Sequence, residues 1–189
     1  MSESIRIPPA CDVDCLQRRS FLKTTAATVT TMLLADVFPG RVIAADAATE
    51  VQVASYPRVA IAKLADLETD IPIEFNYPSV GMHTNCSLVK LGTRAGGGVG
   101  DDQDIVAFSA RCTHMGGDLS GGYVGQFKVV GCRAHLTTFD LTRHGIMVAG
   151  HATERLPQII LEIDGDQIYA TGIVGLLYGY TTNPTAETQ

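Results

Sequence analysis

Two short boxes near the middle of the chain carry side chains able to bind metal: Cys112-Thr-His114-Met-Gly and Cys132-Arg-Ala-His135. Each box supplies one thiolate and one imidazole. Zinc accepts two cysteines and two histidines, but its usual pattern places the cysteines in one box and the histidines in the other. Here they alternate. A binuclear iron–sulfur cluster with two cysteines on one iron and two histidines on the other lets each loop serve both irons. The alternation therefore favours a [2Fe–2S] centre, with a zinc site as the alternative. Imidazole in place of thiolate removes negative charge and favours reduction, at potentials of about −150 to +300 mV. Gly116, Gly117, Gly121, Gly122 and Gly131 suit loops whose backbone must approach sulfide closely. Backbone N–H groups there can donate to the cluster sulfurs.

The elements that must position these boxes are short and strand-like. Ile71-Pro-Ile-Glu-Phe, Ser87-Leu-Val-Lys-Leu and Gln126-Phe-Lys-Val-Val alternate, and Asp104-Ile-Val-Ala-Phe is β-branched and aromatic. Gln158-Ile-Ile-Leu-Glu-Ile and Gln167-Ile-Tyr-Ala-Thr flank Asp164-Gly165, a hairpin signal. No window sustains a long helical period. The pattern predicts an all-β, antiparallel sandwich or barrel, with a small subdomain formed by ligand loops at about 110–140. Gly96-Gly97-Gly98-Val99-Gly100 precedes another strand rather than a helix, so it predicts a flexible hairpin loop and not a phosphate cradle. Residues 182–189 read as a loose polar tail.

With 189 residues, 46% of them hydrophobic, the chain suits one domain plus a short appendage. Trp is absent, so Val, Ile, Leu and Ala must build the core. A net charge of −6 and the lack of a basic block in the globular part argue against nucleic-acid binding. Cys11, Cys15 and Cys86 do not suggest a disulfide framework, and Cys86 reads as a small buried hydrophobe.

The appendage, residues 1–47, has its own character. Gln17-Arg-Arg-Ser-Phe-Leu-Lys23 precedes a weakly apolar stretch from Thr24 to Ala35, and Ala45-Asp46-Ala47 offers a small-x-small cleavage site. Together these resemble a twin-arginine signal peptide. The stretch is shorter than the roughly 20 residues that span a bilayer, so no transmembrane anchor is expected. The implied location is the periplasm, reached in the folded state. Cleavage, and peripheral association with the inner membrane, stay open.

At its two boxes the chain resembles the Rieske superfamily. Over most of residues 48–189 it is similar to the arsenite oxidase small subunit, through Asp104-Ile-Val-Ala-Phe-Ser, Gly150-His-Ala-Thr-Glu-Arg-Leu-Pro-Gln158 and Leu177-Tyr-Gly179. That resemblance implies a heterodimer with a large molybdopterin catalytic subunit and electron exchange with a periplasmic cytochrome c or cupredoxin. It also implies that His114 and His135 ligate the iron that changes valence, near the surface, with a potential that falls at alkaline pH. Seventeen residues separate His114 from Cys132, longer than the arsenite oxidase pattern. Iodate reductase uses a closely similar small subunit with electrons flowing the opposite way.

Departures from the respiratory-complex Rieske pattern are informative. Gly117 and Ala134 stand where that pattern has two cysteines joined in a disulfide. Thr137 and Phe139 stand where it has Ser and Tyr; Thr137 can keep a hydrogen bond to the cluster, and Phe139 cannot supply the second. A lost donor destabilises the electron-rich reduced state, which predicts a potential below that of the respiratory proteins. His151 lies in a segment ended by Pro157 and reads as an interface or a surface histidine; His144 reads as solvated, and His83 is unassigned. Arg133 could steer a partner or offset cluster charge. The apolar run Ile173–Tyr180 could pack on its own sheet or dock the large subunit.

Overall fold

The computed structural model describes residues 55–185. The leader and its cleavage site lie outside the described residues. Ten strands form two antiparallel sheets. The larger takes β1 (Val59–Lys63), β2 (Ile73–Asn76), β3 (Asn85–Lys90), β4 (Ile105–Ser109), β9 (Gln158–Asp164) and β10 (Gln167–Val174), in the order β1-β10-β9-β4-β3-β2. The smaller takes β5 (Tyr123–Val124), β6 (Val129–Gly131), β7 (Thr138–Asp140) and β8 (Ile146–Ala149), paired in sequence order. The all-β expectation holds, and the only helical pieces among the described residues are two 3-10 turns.

β4 explains the layering. All five of its residues are buried. Val106 and Phe108 enter one core, with Leu119, Val130, Phe139, Leu141 and Leu156 from the small subdomain. Ile105 and Ala107 enter the other, with Leu88, Ile159, Leu161, Ile168 and Leu177. A strand covered on both faces reads as a continuous apolar run. Cys86 sits fully buried in the second core, its Sγ donating to the Thr84 carbonyl oxygen at 3.4 Å. Burial pushes its thiol up to about 12, so it is the inert hydrophobe its sequence context suggests.

The β9–β10 hairpin forms as expected, with Gly165 and Asp166 as its two-residue turn and Gly165 at φ +61°. Four expectations need correction. Gln126–Lys128 is not strand but the β5–β6 turn, with Lys128 at φ +55°. The glycine loop is not a flexible tip. Gly96 N–H donates to the Thr142 carbonyl at 2.8 Å, Gln158 Nε2 donates to the Gly96 carbonyl at 2.9 Å, and His144 Nδ1 donates to Gln158 Oε1 at 2.9 Å. A Cβ on Gly96 would lie 2.5 Å from the His144 ring, so glycine is needed to seat it. His144 is thus exposed yet anchored, not merely solvated. The tail is pinned as far as Asn183, whose side chain accepts from Leu177 N–H at 2.8 Å and donates to the Gly175 carbonyl at 2.8 Å. The Ile173–Tyr180 run divides: Ile173 and Leu177 are buried, Val174 and Leu176 exposed.

Candidate metal centre

The two boxes become two loops built on one plan. Loop one, residues 112–117, is closed at its base by the bridge Arg111↔Asp118 and follows directly from β4. Loop two, residues 132–137, connects β6 to β7 and is closed by the pair Gly131↔Thr138. In loop one the Cys112 N–H donates to the Gly117 carbonyl at 2.9 Å and the Gly116 N–H to the Cys112 carbonyl at 2.8 Å. Loop two repeats both: Cys132 N–H to the Thr137 carbonyl at 2.7 Å, and Leu136 N–H to the Cys132 carbonyl at 2.8 Å. Each loop turns through a left-handed residue at the same place, Gly116 at φ +69° and Leu136 at φ +60°.

The candidate donors are sorted by depth. Cys112 and Cys132 are 1% and 2% exposed and belong to the core between the sheets. His114 is half-buried, His135 is exposed, and their rings meet edge to face with centroids 4.9 Å apart. Among the described residues no three His, Cys, Asp or Glu side chains converge on one point. An inner thiol pair and an outer imidazole pair suit two metal atoms better than the single atom of a zinc site.

Three further observations fit an iron–sulfur group. Burial above all, and the neighbouring Cys132, push the Cys112 thiol above its usual range, partly offset by the N–H groups of His114 and Met115 donating to it. Two adjacent buried thiols ionise readily only if a cation lies beside them, which bound iron would provide. His114 Nδ1 is buried and has no hydrogen-bond partner, as a ligating nitrogen would be. Thr137 is fully buried and its Oγ1 accepts the His151 N–H at 3.2 Å, which leaves the hydroxyl hydrogen free to donate to a sulfur. Phe139 is equally buried, in the apolar core, with no such hydrogen to offer.

The glycines earn their places here. A Cβ on Gly117 would stand 2.8 Å from Cys132 Sγ, and one on Gly116 2.3 Å from the Tyr178 ring. Arg133 Nη2 donates to the Gly121 carbonyl at 2.7 Å, a tie from loop two to the segment between loop one and β5. A third segment, following β8, covers the loops from the side: Thr113 Oγ1 donates to the Glu154 carbonyl at 3.0 Å, and Ala152 and Leu156 are buried beneath. His151 places its ring 5.5 Å from that of His114. His83, at φ +60°, meets Tyr178 edge-on at 5.5 Å, and its Nδ1 is buried without a partner. Sequence reasoning met Tyr178 only within the Leu177-Tyr-Gly179 stretch and the apolar run, and missed its contact with loop one. Nothing local to Tyr178 announces a contact with a loop more than sixty residues earlier.

Residues 81–160 match the Rieske [2Fe-2S] domain family. The chain is 53% identical over 170 residues to the iodate reductase subunit IdrB of Denitromonas iodatirespirans, covering 89% of this chain and 87% of that one. It is 47% identical over 190 aligned positions to the IdrB of Pseudomonas sp. (strain SCT), covering 95% of each. These two relatives are iodate reductase subunits, which agrees better with the iodate reductase alternative than with the arsenite oxidase expectation. In fold the chain is similar to the soluble domain of Rieske protein II (soxF) from Sulfolobus acidocaldarius, with a TM-score of 0.58 and 23% identity over 69% of this chain and 84% of that one. The likeness to these two curated relatives along most of the chain, together with the matching domain model, shows that the chain belongs to the Rieske [2Fe–2S] protein family.

Proposed function

We propose that this chain is the electron-transfer subunit of a periplasmic molybdopterin oxidoreductase of the iodate reductase type, with Cys112, His114, Cys132 and His135 as ligands of its cluster. The observation that carries the reading is identity at 53% and 47% to two iodate reductase subunits across 89% and 95% of the chain. A bound cluster would supply one-electron chemistry at a potential set by its surroundings. The protein's own part is positional. The core encloses the Cys112 and Cys132 side chains, and the N–H groups of His114 and Met115, with the Thr137 hydroxyl, aim positive charge at the sulfur side. His135 presents its imidazole to solvent, where a partner can approach.

In this reading electrons enter from a periplasmic cytochrome c or cupredoxin and leave to a large catalytic subunit. Residues 1–47 serve as a twin-arginine leader and 48–189 as the working domain. The test is low-temperature electron paramagnetic resonance on the native complex. Dithionite should raise a Rieske signal. Once excess reductant is removed, iodate should discharge it, while arsenite given to the oxidised complex should raise none. If arsenite builds the signal and iodate leaves it standing, the substrate assignment is wrong. His114→Ser should abolish the signal, and an unaltered spectrum would overturn the ligand set.

A further inference from the structure

We propose that His151 is a positioning residue that braces the two cluster loops against each other where a covalent link is missing. The inference rests on the ligand set proposed above. Position 117 and Ala134 face each other closely: a Cβ built on Gly117 would lie 3.6 Å from the Ala134 Cβ. That is a disulfide-like separation with no sulfur in it. Something else must hold the loops in register.

The segment after β8 does so through neighbouring atoms of one residue. The His151 N–H donates to Thr137 Oγ1 at 3.2 Å, which engages loop two. The His151 ring lies against the His114 ring, centroids 5.5 Å apart and tilted by 38°, which engages loop one. Gly150 makes the approach feasible, since a Cβ there would fall 2.4 Å from the Thr137 Cα. The segment is itself held, with Ala152 buried and Thr113 bonded to the Glu154 carbonyl. One main-chain group therefore orients the buried Thr137 hydroxyl of loop two, while its side chain limits the plane of a ligand ring in loop one. Groups behind a metal ligand set both its orientation and its hold on the metal.

The test separates ring from nitrogen. His151→Ala keeps the backbone N–H and removes the ring; His151→Phe restores an aromatic face that cannot titrate. In the assembled complex, His151→Ala should broaden the g features of the reduced centre, shift its reduction potential and speed cluster loss to a chelator on the order of tenfold. His151→Phe should return all three towards wild type. If His151→Ala does not assemble, His151→Leu, which fills the space without an aromatic face, is read in the same way. Spectra, potential and cluster retention unchanged in His151→Ala would overturn the brace. Failure of His151→Phe to restore them would overturn it too, by assigning the effect to the imidazole nitrogens. A wild-type complex with no Rieske signal would instead sink the ligand set on which the brace depends.

Discussion

Loop one and loop two share a backbone plan but not a setting. Loop one is overlaid by Tyr178 at Gly116 and by His151 at His114, and grows straight out of β4. Loop two hangs on the small sheet and holds its left-handed position with a leucine that is 78% exposed. The same turn is thus filled by the residue that fits under a roof in one case and by one that strains its backbone in the open in the other. Hydrogen bonding fixes the frame of a site, and what covers that frame decides which face is reserved for a visitor.

The sharpest way to break the comparison is Gly116→Ala. It adds left-handed strain and drives a methyl towards the Tyr178 ring, for a combined cost of about 2–4 kcal/mol, read by urea unfolding of the holoprotein. If the cost stays below about 1 kcal/mol, the roof over loop one is looser than described. The mirror change, Leu136→Gly, should act in the opposite direction. Relief of strain less the added freedom of the unfolded chain leaves a net gain of about 0.5–1 kcal/mol in the same assay. A loss of stability there would mean that Leu136 packs more than its exposure suggests.

The smallest effect concerns how loop two is tethered. Asp70 accepts from Lys128 Nζ at 2.7 Å and from the Tyr123 hydroxyl at 2.6 Å, joining the large-sheet side to the β5–β6 hairpin. Lys128, then Tyr123, hold the Asp70 carboxyl below its usual range. Its contribution is therefore complete above the ordinary carboxylate pKa and is lost as pH falls through the depressed native value. Asp70→Asn should lower amide protection factors in β5, β6 and loop two at neutral pH, leave those of loop one unchanged, and remove the loss of protection that acid causes in the wild type. Equal loosening of both loops would deny that they are anchored separately.

The four candidate donors stood out in the sequence because each pair lies within a few residues, where residue type and spacing carry the chemistry. The β9–β10 hairpin was readable for the same local reason. β5, β7 and β8 are two to four residues long, too short for alternation to register, and exist through pairing rather than propensity. Gln126–Lys128 misled because the alternation that runs on into β6 is real while Asp70, far away in sequence, holds Lys128 in a turn. Thr137 was named from the sequence as a candidate donor, but the backbone N–H that it accepts was not legible there. His151 reaches Thr137 across a separation no local pattern encodes.

β4 has no side that faces water, and its two sets of side chains belong to different cores. Neither layer can come away while the other stays intact, because release of either face would expose apolar surface on a strand still locked by the other. Heating should therefore melt the described domain in one cooperative step, with a single heat-capacity peak. Because loop one follows this strand, melting of β4 removes the frame of that loop in the same step.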